Sequence, residues 1–248
     1  MHHPLFYAIL ESNRRIINPI SEAQLATFGA ALHLAPGTSV LDLACGKGEM
    51  LCTWARDHAI TGTGVDHSAD FLADAERRAV ELGVTDRVRF VREDASRYIA
   101  ERSYDIVSCI GASWIGGGLA GTIQLLERAV RPGGVLLVGE PYWRKEPPPE
   151  AIEAMFGAGS ATDYVPLPEL VERFSAWGFD LVEMVLAEKG TWDRFAAGGW
   201  WNLRHWLDAN PDHELAGEVR AELDRGPLVH TRYQRPYLGW GIFALMRR

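Results

Sequence analysis

Apolar residues in this chain follow two spacings that take turns along the sequence. Val40, Leu41 and Leu43 form a short apolar run after the turn residues Pro36 and Gly37, which predicts a strand. Met50, Leu51, Trp54 and Ala55 follow at spacings of three and four, which predicts a helix. The alternation continues. Strands are expected at Ile60 to Val65, Val88 to Arg92, Tyr104 to Ile110, Val135 to Gly139, Phe179 to Ala187 and Gly239 to Met246. Helices are expected at Ala69 to Leu82, Leu119 to Val130 and Pro166 to Gly178. Strand alternating with helix is the pattern of an α/β fold with a doubly wound sheet.

Two helical segments lie outside this alternation. Pro4 to Ile17 places Leu5, Ala8, Ile9, Ser12 and Ile16 on one face, and Asn18-Pro19 ends it. Ser21 and Gln24 fit a capping box for a second helix, Glu22 to Leu34. Residues 1–35 are therefore expected to form a helical cap, on which Arg14 or Arg15 either reaches a carboxylate or belongs to a solvated charged face. The second segment, 190–227, is a helical insert before the last strand. It contains Trp192, Trp200, Trp201 and Trp206 and reads as an aromatic lid.

Composition narrows the class. With 248 residues and 47% apolar content, the chain supports one sizeable core, so 1–248 is expected to be a single elaborated domain. No apolar run approaches the roughly 20 residues of a membrane span. Met1-His2-His3-Pro4 opens neither a signal nor a transit peptide, and the two histidines read as incidental. A net charge of −8, with scattered basic residues, argues against nucleic acid as a partner. Cys45, Cys52 and Cys109 have no metal-ligand spacing. They are expected to be reduced packing residues of a cytoplasmic protein, and no metal is expected.

The candidate chemistry starts at Ala44-Cys45-Gly46-Lys47-Gly48, between the first strand and its helix. A ligand can approach such small residues closely, and the following helix start offers unpaired N–H groups. The dinucleotide pattern G-x-G-x-x-G fails at its third place, where Glu49 stands. The frame that fits is Asp42-x-Ala44-x-Gly46-x-Gly48. Asp66 lies about 20 residues on, where an acid accepts hydrogen bonds from ribose hydroxyls in either cofactor class; the alternative for Asp66 is a helix N-cap. His67 beside it is placed to lie against a base. Asp94, followed by Ala95, ends the third strand; the alternative for Asp94 is a cap on a helix from Ala95 to Ala100. Ile110 and Gly111 end the fourth strand at the crevice.

With these residues and Pro132-Gly133-Gly134 in place, the chain resembles the class I S-adenosylmethionine (SAM) methyltransferases over 36–187 and 237–248. Alanine replaces the first loop glycine of that family. The resemblance implies a Rossmann-like seven-stranded sheet of order 3-2-1-4-5-7-6, with the last strand antiparallel. It implies SAM as cofactor and S-adenosylhomocysteine as product, with Asp94 holding the adenine amino group. A closer similarity, to the bacterial YjhP-type methyltransferases, rests on Cys52-Thr-Trp-Ala-Arg-Asp-His58, Gly139-Glu-Pro-Tyr-Trp-Arg144, Glu183-Met-Val-Leu-Ala187 and Gly239-Trp-Gly-Ile-Phe-Ala-Leu245. The Asn/Asp-Pro-Pro-aromatic motif of enzymes that methylate base amines is absent after Ile110.

The expected reaction is methyl transfer to O, N or C of a small molecule. The alternatives are a protein or RNA acceptor, a binding module without catalysis, and an NAD-linked oxidoreductase. Glu140 and Tyr142 leave the fifth strand at the crevice and are the candidate catalytic groups. Glu140 can act as a base if burial raises its pKa. Trp114, Trp143, Trp200 and Trp201 are candidate substrate walls, since aromatic surfaces suit a planar ring or a cationic amine; the alternative is that the tryptophans simply bury the insert against the core. His205 has suitable chemistry but stands alone on a helix.

Overall fold

The computed structural model describes residues 4–158 and 163–248. His2 and His3 lie outside them. Seven strands form one sheet in the order β3-β2-β1-β4-β5-β7-β6. They are β1 (Ser39–Leu43), β2 (Thr61–Asp66), β3 (Val88–Arg92), β4 (Tyr104–Ile110), β5 (Val130–Trp143), β6 (Phe179–Leu186) and β7 (Leu238–Arg247). β7 runs antiparallel to both neighbours, and the other pairings are parallel. Family order and strand direction are as the sequence resemblance implies.

Both faces of the sheet are covered, so its central strands are largely buried on both sides, while the edge strands β3 and β6 keep exposed polar positions. Side chains alternate across a strand. Val40 thus joins a core with Ile106, Leu137 and Ile242, under α2 (Glu22–Ala31), α3 (Glu49–His58) and α4 (Ala69–Glu81). Leu41 joins the opposite core with Val107, Leu136 and Val138, under α5 (Leu119–Glu127) and α7 (Leu167–Ala176). Trp54 is fully buried, and its indole N–H donates to the Leu25 carbonyl. Truncating it to alanine would cost about 3–5 kcal/mol.

The helical segments flanking this core pack on each other. Phe6 and Ile9 of α1 (Pro4–Leu10) share a satellite core with Leu203 and Leu207 of α8 (Lys189–Ala209) and Val219 of α9 (Ala216–Val229). The cap and the insert, separate in sequence, meet in one helical layer. The Asn202 amide donates to the Leu10 carbonyl at 2.9 Å.

Several boundaries differ from the sequence expectation. The first helix ends at Leu10 rather than Ile17, because the Glu11 and Ser12 carbonyls accept from Lys47 Nζ. Residues 95–97 form a turn and 98–100 are irregular, with no helix; the Asp94 carboxylate accepts from the Ser96 N–H and hydroxyl, so it closes a local turn. β5 continues through Glu140–Trp143, because β7 pairs with it up to Trp143–Leu238. Another helix, α6 (Pro149–Phe156), stands in the proline-rich excursion. The insert does not stop at Pro227, which lies inside α9. A wider turn at His230–Gln234 follows it, as expected where a proline removes a helical donor.

Candidate active site

Three of the five residues in the loop between β1 and α3 are left-handed. Ala44 has φ +59°, Gly46 φ +54° and Gly48 φ +66°. That conformation costs an L-residue roughly 1–2 kcal/mol, so Ala44 is a strained position that the surrounding packing holds. A Cβ at Gly46 would fall 2.5 Å from Ile17 Cδ1. The loop therefore admits close approach from above, where Ile17 now lies.

Asp66 fixes this loop from β2. Its Oδ2 accepts from the Gly46 N–H at 2.9 Å, and its Oδ1 accepts from the Ser68 N–H at 2.9 Å. Asp42 is buried beneath the same loop and accepts from the Ser108 hydroxyl at 2.7 Å. Burial pushes the Asp42 carboxyl up to about 7; Ser108 opposes this, and the Asp66 charge adds to it. Asp42, Ala44, Cys45 and Ile110 line one cavity of about 50 Å³ together with Ile17 and Asn18. The Asn18 amide donates to the Ile110 carbonyl at 3.4 Å and lies over Gly111.

Lys47 holds the roof down. Its ammonium is buried, donates to the Glu11 carbonyl at 2.8 Å, and pairs with Asp74 at 3.1 Å. Arg14 does not reach into the crevice. Its guanidinium bonds Glu11, lies 4.0 Å over the Phe195 ring, and donates to the Phe195 carbonyl. Arg15 lines the small cavity and pairs with Glu81.

At the neighbouring strand ends, His67 is exposed, with Nδ1 3.8 Å from Asp66 Oδ1. Asp94 is exposed too, and its hydrogen bonds from Ser96 hold its pKa below the usual carboxylate value. Ala95 is buried behind it. Asp66 and Asp94 end adjacent strands, and the Glu93 N–H donates to the Asp66 carbonyl at 3.1 Å.

Across the sheet, Ile110 pairs with Gly139, so Glu140 begins where β4 ends. Glu140 is only 6% exposed, and its Oε2 has no hydrogen-bond partner among the described residues. Burial pushes its carboxyl up to about 7; Ser113 opposes this, and the Asp163 charge adds to it. Glu140 lines a cavity of about 450 Å³ with Ser113, Trp114, Tyr164, Arg173 and Trp177. Trp114 is 72% exposed at its edge.

The other candidates lie elsewhere. Tyr142 is buried, with its ring across Gly239, its partner on β7. Burial raises its phenol pKa, and it does not line the Glu140 cavity. Trp143 packs edge-on against Phe156 and Tyr164. It supports one wall of the cavity from behind. Trp200 packs on His230, and Trp201 is exposed and lies over its own neighbour His205 at 4.4 Å. Neither lines the Glu140 cavity. Cys109 is buried in the core, where burial raises its thiol pKa.

Lys47, Asn18, Ser113, Tyr164 and Trp177 also face these cavities, beyond the residues that the sequence motifs point to. Only Lys47 carried a signal, as a cation inside a loop of small residues. Among the described residues no group of three His, Cys, Asp or Glu side chains is arranged to hold a metal ion. No described helix is long and apolar enough to cross a membrane.

Comparison with known proteins agrees with this layout. A model of the methyltransferase domain family matches residues 40–134. The uncharacterised protein YjhP of Escherichia coli is 51% identical over 100% of both chains. A crystal structure of a SAM-dependent methyltransferase from Geobacter sulfurreducens, in complex with S-adenosylhomocysteine, is 54% identical over 99% of both chains, with a TM-score of 0.95. Demethylmenaquinone methyltransferase of Beutenbergia cavernae is 34% identical over 57% of this chain and 55% of its own.

Proposed function

The chain belongs to the class I SAM-dependent methyltransferases of the YjhP type, and on that premise we propose that it methylates a small-molecule acceptor held beside Glu140. SAM is the methyl donor and S-adenosylhomocysteine the product.

The strand ends suit that cofactor. Asp66 presents a carboxylate to ribose hydroxyls at the end of β2, and Asp94 presents another to the adenine amino group at the end of β3. His67 and Ala95 flank the adenine. Ala44, Cys45, Gly46 and Gly48 let the nucleoside and methionine portions lie against backbone, and Ile110 and Gly111 form the far wall. Asp42 supports the loop from below. The left-handed loop is the observation that fits the ligand: a Cβ at Gly46 would occupy the space above it.

One observation carries the assignment of an acceptor site. Buried Glu140, whose Oε2 has no partner among the described residues, opens into a cavity of about 450 Å³, directly beyond the Ile110–Gly139 pair at which the cofactor side ends. That volume is in the range of small-molecule sites. When bound, SAM supplies an electrophilic methyl group on a sulfonium, which favours in-line attack by a nucleophile held about 3 Å away. The protein's part is to hold the acceptor, exclude water and receive a proton where one must leave. Glu140 is placed for the last role. Tyr142 serves by packing behind it. Trp114 bounds the acceptor directly, Trp143 backs the wall, and Trp200 and Trp201 belong to the lid formed by the insert.

A net charge of −8 supports a small molecule over nucleic acid. Free Cys45, Cys52 and Cys109 support a reducing compartment, the cytoplasm. The test is incubation with methyl-labelled SAM and a metabolite extract, with heat-inactivated protein as control. Label in a small molecule supports the reading; label confined to protein or RNA defeats it.

A further inference from the structure

Glu140 is an unusual group to find alone. A buried ionisable carboxyl is normally paired or hydrogen-bonded, because burial without a partner costs free energy. Yet Oε2 has no partner, and among the described residues Glu140 forms no ion pair. Its neighbours do not supply one. The Ser113 hydroxyl bonds the carboxyl yet leaves Oε2 open, Asp163 is another acid, and the Tyr164 phenol, its pKa raised by burial and by the Glu140 charge, gives Oε2 no hydrogen bond. Arg173 lines the same cavity, but its side chain is committed to Glu169 and the Asp163 carbonyl. Among the described residues no donor meets Oε2, which leaves that place to a ligand.

The shape around it restricts that ligand. Trp114, Tyr164 and Trp177 contribute three aromatic surfaces, and Leu119, Val165 and Leu170 contribute aliphatic ones. Such walls suit a planar ring more than a flexible polar chain. In its ionised form, the one able to take a proton, the carboxylate only accepts hydrogen bonds, so a ring that reacts there presents an O–H or N–H toward Oε2.

The chemistry separates these two. A neutral amine attacks a methyl group without first losing a proton, and an ammonium paired with Glu140 would be held in its unreactive form. A hydroxyl on an aromatic ring is a weak nucleophile until its proton is taken, and a base within hydrogen-bond reach supplies that. Resting on the methyltransferase reading above, we propose that the cavity of Ser113, Trp114, Tyr164 and Trp177 binds an aromatic alcohol, and that Glu140 Oε2 takes its proton as the ring oxygen is methylated. The O–H proton passes to Oε2 and the ring oxygen forms the new C–O bond. The carbon–sulfur bonding pair stays on sulfur, and the proton later leaves Glu140 for solvent. Glu140 is a catalytic residue in this scheme, and Trp114 and Trp177 position the ring.

The test separates the acceptor from the cofactor. Calorimetry first titrates S-adenosylhomocysteine into the full chain, into E140Q and into E140A. Similar affinity in all three is expected; no binding to the wild type would defeat the cofactor reading instead, in a titration of its own. Phenol, anisole and aniline are then titrated into the S-adenosylhomocysteine-loaded protein. Phenol should bind roughly tenfold more tightly than anisole, which lacks the proton. E140A should erase that difference. Labelled SAM is then offered with a set of ring hydroxyls and a set of ring amines. Label should enter methyl ethers, and E140Q should slow this ~10²-fold or more. Undetectable phenol binding, equal affinity for phenol and anisole, label only in amines, or transfer indifferent to E140Q would each overturn the proposal.

Discussion

Asp66 Oδ2 accepts a hydrogen bond from the Gly46 N–H at 2.9 Å, across twenty residues of chain. This bond ties the end of β2 to the left-handed loop after β1. The acid proposed for the ribose thus also shapes the loop that admits the nucleoside. Asp66→Ala should then weaken S-adenosylhomocysteine binding by ~10²-fold, since it removes charge-assisted hydrogen bonds to both. It should also lower the melting temperature. Calorimetry and thermal denaturation of the same variant check both halves. A loss of affinity without loss of stability would mean that the Gly46 bond carries no structural load.

Asp94 is the contrasting case. Its carboxylate is exposed and closes only a local turn with Ser96. Asp94→Ala should leave stability within about 0.5 kcal/mol of wild type. It should still cost roughly tenfold in cofactor affinity, the worth of one hydrogen bond from the adenine amino group. Comparing adenosine with inosine as competitors reads the same contact, because inosine lacks that amine.

Glu140 gives a pH dependence whose sign can be worked out. Its carboxyl is pushed up to about 7 from the ordinary 4.5, so between these values the folded protein keeps a proton that the unfolded chain releases. Stability falls as pH rises through that window, and the penalty is complete above it. One pKa unit is worth about 1.4 kcal/mol, so the effect is on the order of 3 kcal/mol. E140Q removes it. The variant should match wild type near pH 4.5 and exceed it near pH 8, by thermal denaturation at each pH. Asp163, Tyr164, Cys109 and Arg173 surround the group and are common to both proteins. Asp42, also pushed up to about 7, cancels in the comparison.

The N-terminal strap depends on Arg14. It pairs with the largely buried Glu11 and stacks on Phe195 of α8. Burial lowers the Arg14 pKa and raises that of Glu11, and each charge offsets the other's cost. Arg14→Ala leaves the acid without its partner and should cost about 3 kcal/mol. Residues 4–20 should then exchange amide hydrogens faster than the sheet does. Uniform exchange across both would show that the strap opens only with the whole fold.

Local patterns in the sequence determined the alternation of strand and helix, the small-residue loop and the acids that end β1, β2 and β3. These are legible because a strand's period, a tight turn and a helix start each need particular residues within a few positions of one another. Strand order came from resemblance to a family, not from periodicity. Tertiary structure alone decided the rest. It brought α1 onto α8, gave Lys47 the Glu11 and Ser12 carbonyls, and laid Asn18 over Gly111. It put Tyr164 and Trp177 beside Glu140 while turning Tyr142 into the core and Trp201 toward solvent. Each of these depends on how distant elements pack and on which face a side chain leaves. A tryptophan at a lid and a tryptophan on an outer surface look alike in one dimension, because burial belongs to the fold and not to the residue.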